Sequence, residues 1–283
     1  MKTLPYFDVI LEQLGRTNSP VSVALGENVH WGYWRDLAAA DTSVEGFKAA
    51  SDALTEQLFA DADLRDGQSI LDVGCGFGGT IALLDKRHSF LKIRGLNIDA
   101  RQIARARTSV VPHATHDNHI DFVVADGCAL PYAANTFDVV FAVECIFHFG
   151  CIKTFFREAF RVLRPGGRLV LSDFITPRAG IPVLVVLGPF NAAALSRIYG
   201  PKRALHTLPL YRRVARESGL EQLSARNITA GTMPTYEVFD RLSDDFGNGP
   251  LQRSFRQSNR FIRLLARLGV SRYTVLSFAK PRS

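Results

Sequence analysis

Five short apolar runs, spaced by helix-length segments, set the rhythm of the first 174 residues: "SILDVGC" (69–75), "FLKIRGLNI" (90–98), "IDFVVAD" (120–126), "FDVVFAV" (137–143) and "GRLVLSDF" (167–174). The intervals include "ARQIARARTSV" and "CIKTFFREAFRVLR", both patterned as amphipathic helices. Ahead of them, residues 43–60 place Val44, Phe47, Leu54 and Leu58 on one helical face. Nearly all-apolar strands alternating with helices predict an α/β protein whose parallel sheet is covered on both faces. Pro165-Gly166-Gly167 is expected to end a helix and turn the chain into the fifth strand.

Beyond Phe174 the rhythm changes. Residues 181–199, "IPVLVVLGPFNAAALSRIY", are strongly apolar but are broken by Gly188-Pro189 and Asn191. A transmembrane span needs ~20 uninterrupted apolar residues, so a cap helix over a greasy pocket is expected instead, lined by Val185 and Phe190. A helix (211–220), a strand (221–229), a further helical stretch and a last strand (272–281) follow.

Composition narrows the class without fixing it. Apolar residues make up 47% and charged residues 22% of the 283 positions, which is ordinary for a globular chain and argues against disorder. The formal charge of +7 is concentrated late, in Arg253, Arg256, Arg260, Arg263, Arg267 and Arg272. No zinc knuckle or aromatic RNA-binding motif accompanies it, so no nucleic acid is expected; an acidic protein partner or anionic lipid explains the same charge. Cys75, Cys128, Cys145 and Cys151 form no C-x-x-C pair and no metal spacing. "MKTLPYFDVILEQLG" is interrupted by Pro5, Asp8 and Glu12, unlike a secretory signal. Free thiols in a cytoplasmic protein are therefore expected. His113, His116 and His119 fall in a polar loop away from the strand ends, so no metal site is expected there.

The candidate chemistry begins at "ILDVGCGFGGT" (70–80), which fits two fingerprints. Gly74, Gly76 and Gly79 spell the G-x-G-x-x-G of dinucleotide sites. Asp72, Gly74, Gly76 and Gly78 spell D-x-G-x-G-x-G, a first motif of S-adenosylmethionine (SAM) methyltransferases. In both, glycine permits a tight turn and close approach of main chain to ligand. Asp72 discriminates: a carboxylate there complements the ammonium and sulfonium of SAM and gains nothing beside an anionic pyrophosphate. Asp126, at the end of the third strand in "VADGCALPY", is a short acceptor for an adenine amino group, with adjoining amides such as that of Gly127 reaching ring nitrogens.

Together "LDVGCGFGG", "GLNIDARQ", "ADGCALPY" and "VLRPGGRLVLSDF" resemble a class I SAM-dependent methyltransferase from about Ile70 to Phe174. The resemblance points to the small-molecule branch of sugar O-methyltransferases and of tocopherol, sterol and cyclopropane enzymes. It implies a Rossmann-like seven-stranded sheet. The expected parts are an N-terminal helical flap (1–65), a SAM-binding core (66–174), an inserted helical cap over the acceptor pocket (175–210) and a C-terminal part completing the sheet (211–283). It further implies that Asn97 and Gln102 hold the ribose hydroxyls, with Asp99 as a rival. "ENVHWGYW" (27–34) is similar to the H-x-G-[YF] segment that closes over the methionine end of SAM, which places Tyr33, flanked by Trp31 and Trp34, near the sulfonium. Glu144 is expected to contact the SAM amino group or to position the acceptor.

Transfer to a hydroxyl requires alignment of the acceptor and removal of its proton. His148 lies just beyond the fourth strand and Asp173 at the end of the fifth, both on the carboxyl edge where open α/β sheets bind ligands. They are the expected catalytic pair, with activity rising through an ordinary histidine pKa. The activity implied is O-methylation of a hydrophobic small molecule such as a polyketide, with an acidic carrier protein as a candidate partner for the arginine-rich helix. The alternatives are C-methylation of a prenyl, sterol or lipid acceptor, and a SAM-binding pericyclase or scaffold that transfers no methyl.

Overall fold

A computed structural model describes residues 5–14, 19–200, 205–246 and 249–282. Among the described residues, seven strands form one sheet in the order β3-β2-β1-β4-β5-β7-β6. They are β1 (Ser69–Val73), β2 (Lys92–Asn97), β3 (His119–Val124), β4 (Phe137–Val143), β5 (Leu163–Ile175), β6 (Glu221–Asn227) and β7 (Arg272–Ala279). The first five pair in parallel, and β7 is antiparallel to both β5 and β6. The parallel strands are crossed over by helices, and β1 is buried at every position.

The helices among the described residues are α1 (Pro5–Leu14), α2 (Pro20–Leu25), α3 (Val44–Ala62), α4 (Gly79–Arg87), α5 (Ala100–Ser109), α6 (Ile152–Val162), α7 (Ile181–Tyr199), α8 (Leu208–Ser218), α9 (Thr229–Thr232), α10 (Thr235–Leu242) and α11 (Pro250–Arg267). Alternate residues of each central strand feed two cores. Ile70, Ile93 and Phe141 pack with Phe47, Leu54 and Leu58 of α3 and Ile103 of α5. Leu71, Val140 and Leu169 pack with Phe155 and Phe156 of α6 and Val214 of α8. That split between the two faces of a pleated strand is the reason helices can cover the sheet on both sides.

One turn differs from its sequence reading. Helix α6 stops at Val162 and the fifth strand starts at once at Leu163, so Pro165-Gly166-Gly167 sits inside β5. It forms an irregularity where pairing with β4 jumps from Phe137–Leu163 to Val139–Arg168. Gly166, at φ 80°, still donates to the Lys280 carbonyl at 2.8 Å, which holds the irregular stretch to the end of β7.

Candidate functional site

The loop after β1 is held by its own main chain. Gly74 and Cys75 both donate to the Leu96 carbonyl of β2, at 2.7 and 3.0 Å, and Gly78 donates to Cys75 at 2.9 Å. Those amides are therefore not turned toward an anion. Gly74 has φ 78°, and a Cβ on it would lie 2.6 Å from Cys145 Cβ. Gly76, at φ 55°, would bring a Cβ to 3.2 Å from Val29. Both positions have left-handed backbone, which strains any side chain, and at Gly74 the close approach leaves no room for one.

Asp72, the last residue but one of β1, is fully buried, and its Oδ2 has no hydrogen-bond partner among the described residues. Burial pushes its carboxyl up to about 7. An orphaned buried carboxyl oxygen beside a side-chain-free loop could hold a cationic group. At the end of β2, Asn97 Nδ2 donates to Gln102 Oε1 at 3.1 Å, and both side chains are buried. Gln102 Oε1 lies 4.0 Å from where a Gly76 Cβ would be. Asp99 is engaged elsewhere: it caps α5 by accepting from Arg101 N–H at 2.9 Å and pairs with the Arg101 guanidinium at 2.7 Å, which holds its carboxyl below the usual range. Asp126 is exposed and accepts from Cys128 N–H at 2.8 Å, and Gly127 is packed tightly between Val73 and Phe149.

The segment between α2 and α3 lies over this loop. A Cβ on Gly79 would fall 1.9 Å from Asn28 Oδ1. His30 locks the segment from below, its Nδ1 at 2.9 Å from the Trp31 carbonyl and Nε2 at 3.2 Å from Thr55 Oγ1; burial lowers its pKa to about 4. Trp31 N–H donates to Glu144 Oε1 at 2.9 Å, and the Trp31 ring meets Tyr236 edge-on at 4.5 Å between centroids. Tyr33 is turned the other way, its ring against Gly231, while Trp34 Nε1 donates to the Asp41 carbonyl at 2.8 Å. Of the three aromatic residues in "ENVHWGYW", Trp31 is the one joined to Glu144.

Glu144 follows β4 in left-handed backbone, φ 46°. Such a conformation is uncommon for a residue with a long side chain and marks a position held by its surroundings. The holding groups are the Trp31 amide and the Tyr273 hydroxyl of β7, which also donates to Glu144. Burial outweighs those two donors and raises the Glu144 carboxyl to about 8, so it is mainly protonated at neutral pH. Beside it opens a cleft with about 770 Å³ of empty space, part of it continuous with solvent. Its walls come from the N-terminal segment (Ile10, Leu25, Val29, Trp31), the end of β4 (Glu144, Phe147), the last turn of α7 (Ile198, Tyr199), α10 (Phe239, Leu242) and α11 (Leu251, Phe255). Glu144 is the single ionisable carboxyl among them.

The expected catalytic pair is placed differently from a simple dyad. His148 closes a 3-10 turn after β4, its ring 4.2 Å from Phe147. Burial lowers its pKa to about 4, against a smaller opposing pull from the Asp173 charge, instead of leaving it at the ordinary histidine value. Asp173 is fully buried, and its Oδ2 holds His206 Nδ1 and, at 2.5 Å, the Tyr211 hydroxyl. Its Oδ1 takes the Phe174 amide at 2.7 Å. His206, Tyr211 and Tyr273 were not among the sequence-derived candidates. Tyr273 lies in a strand buried without a break from Tyr273 to Phe278, so no alternation singles it out; His206 sits in an aperiodic stretch that gives no signal. The cap also differs from expectation: of α7, Ile198 and Tyr199 line the cleft, while Val185 and Phe190 are 68% and 78% exposed.

Comparison with known proteins bears on the family and the fold. Residues 71–171 match the family model "Methyltransferase domain". The chain is 32% identical over 238 residues to "Methyltransferase GfsG" of Streptomyces halstedii, covering 81% of this chain and 80% of that one. It is 34% identical over 213 residues to "27-O-demethylrifamycin SV methyltransferase" of Amycolatopsis mediterranei, covering 75% and 73%. Among solved structures, the cyclopropane synthase MmaA2 from Mycobacterium tuberculosis superposes with a TM-score of 0.76 at 16% identity, over 99% of this chain and 100% of that one, a likeness of fold.

Proposed function

Because the chain belongs to the SAM-dependent methyltransferases, we propose that it methylates a hydroxyl oxygen of an apolar small molecule seated in the cleft beside Glu144. The observation that carries this reading is the cleft itself, whose walls are aliphatic and aromatic apart from the Glu144 carboxyl and the Tyr199 hydroxyl. The relative named for O-methylation of a rifamycin precursor supports an oxygen as the acceptor atom and a natural product as its class.

SAM, when bound, supplies a methyl on a sulfonium sulfur that departs as a neutral thioether. The open Oδ2 of Asp72 receives the cationic end, and the Asn97–Gln102 pair takes the ribose hydroxyls, since Asp99 is occupied by Arg101. Asp126 and the amide of Gly127 meet the adenine at the end of β3. Trp31 would close the methionine end in place of Tyr33, since its main-chain N–H is bonded to Glu144 and the residue lines the cleft. His148, neutral above about pH 4 and next in sequence to the cleft-wall residue Phe147, would take the proton that the acceptor hydroxyl gives up. Asp173, held by His206 and Tyr211, contributes charge that favours the imidazolium so formed.

A second reading, transfer to carbon in a prenyl or lipid acceptor, is favoured by one observation: Glu144 and not His148 lines the cleft. Incubation with methyl-labelled SAM and an extract of the source separates the readings. An acceptor gaining one methyl as an ether or ester supports the first; a product resistant to demethylation, with Glu144→Gln inactive and His148→Ala active, supports the second. SAM binding without any transferred label would instead leave a scaffold or pericyclase.

A further inference from the structure

We propose that the outer face formed by α7 and α11 docks on an anionic lipid surface. Helix α7 exposes Val185, Val186 and Phe190, at 68%, 63% and 78%, a concentration of large apolar side chains that water does not favour. It is the one helix among the described residues long and apolar enough to span a bilayer, yet its inner side is packed on α11 through Leu187, Leu195 and Phe261. A helix anchored to its own domain along one side can lie in an interface but cannot leave to cross it.

Helix α11 supplies the charge. Arg253, Gln257, Arg260, Leu264 and Arg267 recur at alternating intervals of four and three, hence on one face. Gln257 Nε2 reaches the Phe190 carbonyl at 3.4 Å and Asn191 Oδ1 at 3.3 Å, which joins this stripe to the exposed part of α7. Arg256 and Arg263 are spent on Asp244 and Asp240. Arg253, Arg260 and Arg267 are exposed and form no ion pair among the described residues. Neither helix contains an Asp or Glu. The face is thus an apolar strip bordered by unpaired arginines, whose aliphatic stems can lie along acyl chains while the guanidinium groups stay among phosphates. A second copy of the chain is a poor occupant, because a two-fold contact would set these arginines against one another. An acidic protein would answer the charge but leave Val185, Val186 and Phe190 unexplained.

The test is sedimentation of the intact protein with vesicles of phosphatidylcholine alone or of phosphatidylcholine and phosphatidylglycerol at about three to one. Binding should be at least about tenfold stronger to the anionic vesicles and should fall toward the neutral level in about 0.5 M salt. Phe190→Asp, and separately Arg260→Glu with Arg267→Glu, should each lower it by roughly tenfold. SAM affinity, measured on the same variants, should be unchanged, which shows that they fold. No preference for anionic vesicles overturns the proposal. So does a dimer in solution that Phe190→Asp disperses, or retention on immobilised polyglutamate that exceeds vesicle binding and is unaffected by Phe190→Asp.

Discussion

The glycine loop is fixed by main-chain hydrogen bonds among Gly74, Cys75, Gly78 and Leu96, whereas the adjoining cleft is walled by side chains, Glu144 among them, which the Tyr273 hydroxyl holds in place. The first region depends on the absence of side chains and the second on their presence. Substitutions should therefore injure the two regions through different observables: ligand affinity in the loop, turnover in the cleft.

The largest effect is expected beside the cleft, at the residue that follows the wall residue Phe147. His148→Ala should lower turnover by ~10²–10⁴-fold with SAM affinity nearly intact. Because burial sets the His148 pKa at about 4, wild-type activity should lose its His148-dependent limb only as pH falls through that value. A limb near 6.5 that disappears in His148→Ala would place the imidazole in water and undo the contrast. Next comes the loop: Gly76→Val adds a branched side chain at φ 55° against Val29 and should weaken SAM by about a hundredfold or more while the thermal unfolding transition is retained. Normal SAM binding by calorimetry would show that the loop tolerates side chains after all.

A smaller effect sharpens the electrostatic side of the comparison. Asp72, raised to about 7 by burial, must be ionised to receive a cation, so binding releases a proton. SAM affinity should rise with pH up to about 7 and fall about tenfold per unit below it, and Asp72→Asn should flatten that dependence. Isothermal calorimetry in buffers of different ionisation enthalpy reads the released proton directly. The smallest change is Asp126→Ala. Its carboxylate is exposed and already bonded to Cys128 N–H, so a loss of about 1 kcal/mol in SAM binding is expected, one hydrogen bond's worth.

Periodicity revealed the strands because each is defined by residues adjacent in sequence. The run 137–143 coincides with β4, and 181–199 coincides with α7 in spite of Pro189. What periodicity could not supply was direction and partner. Helix α7 is apolar almost all round, so its pattern does not say which side faces the protein, and Val185 and Phe190, expected to line the pocket, are exposed. Asp173 was legible as a strand-end acid, but its partner His206 lies 33 positions away in a stretch without pattern. The lowered pKa of His148 comes from burial, a property of packing that no local window contains. Glu144 was recognisable as a candidate; the Tyr273 hydroxyl that holds it arrives from 129 residues downstream.

The position of β7 between β5 and β6 has a consequence for biosynthesis. Strands β1 to β5 can pair in order as they leave the ribosome, but the outer edge of β5, from Arg168 to Ile175, waits for a partner encoded at 272–279. Roughly 100 residues must be translated in between, which takes about 5–20 s at ordinary elongation rates. Through that interval the nascent chain carries an unpaired edge of buried-type residues such as Leu169, Val170 and Leu171, a template for pairing with a neighbouring chain. A chain cut short before Arg272 keeps the whole glycine loop, loses Tyr273, and retains that sticky edge permanently. Such truncated forms should collect in the insoluble fraction.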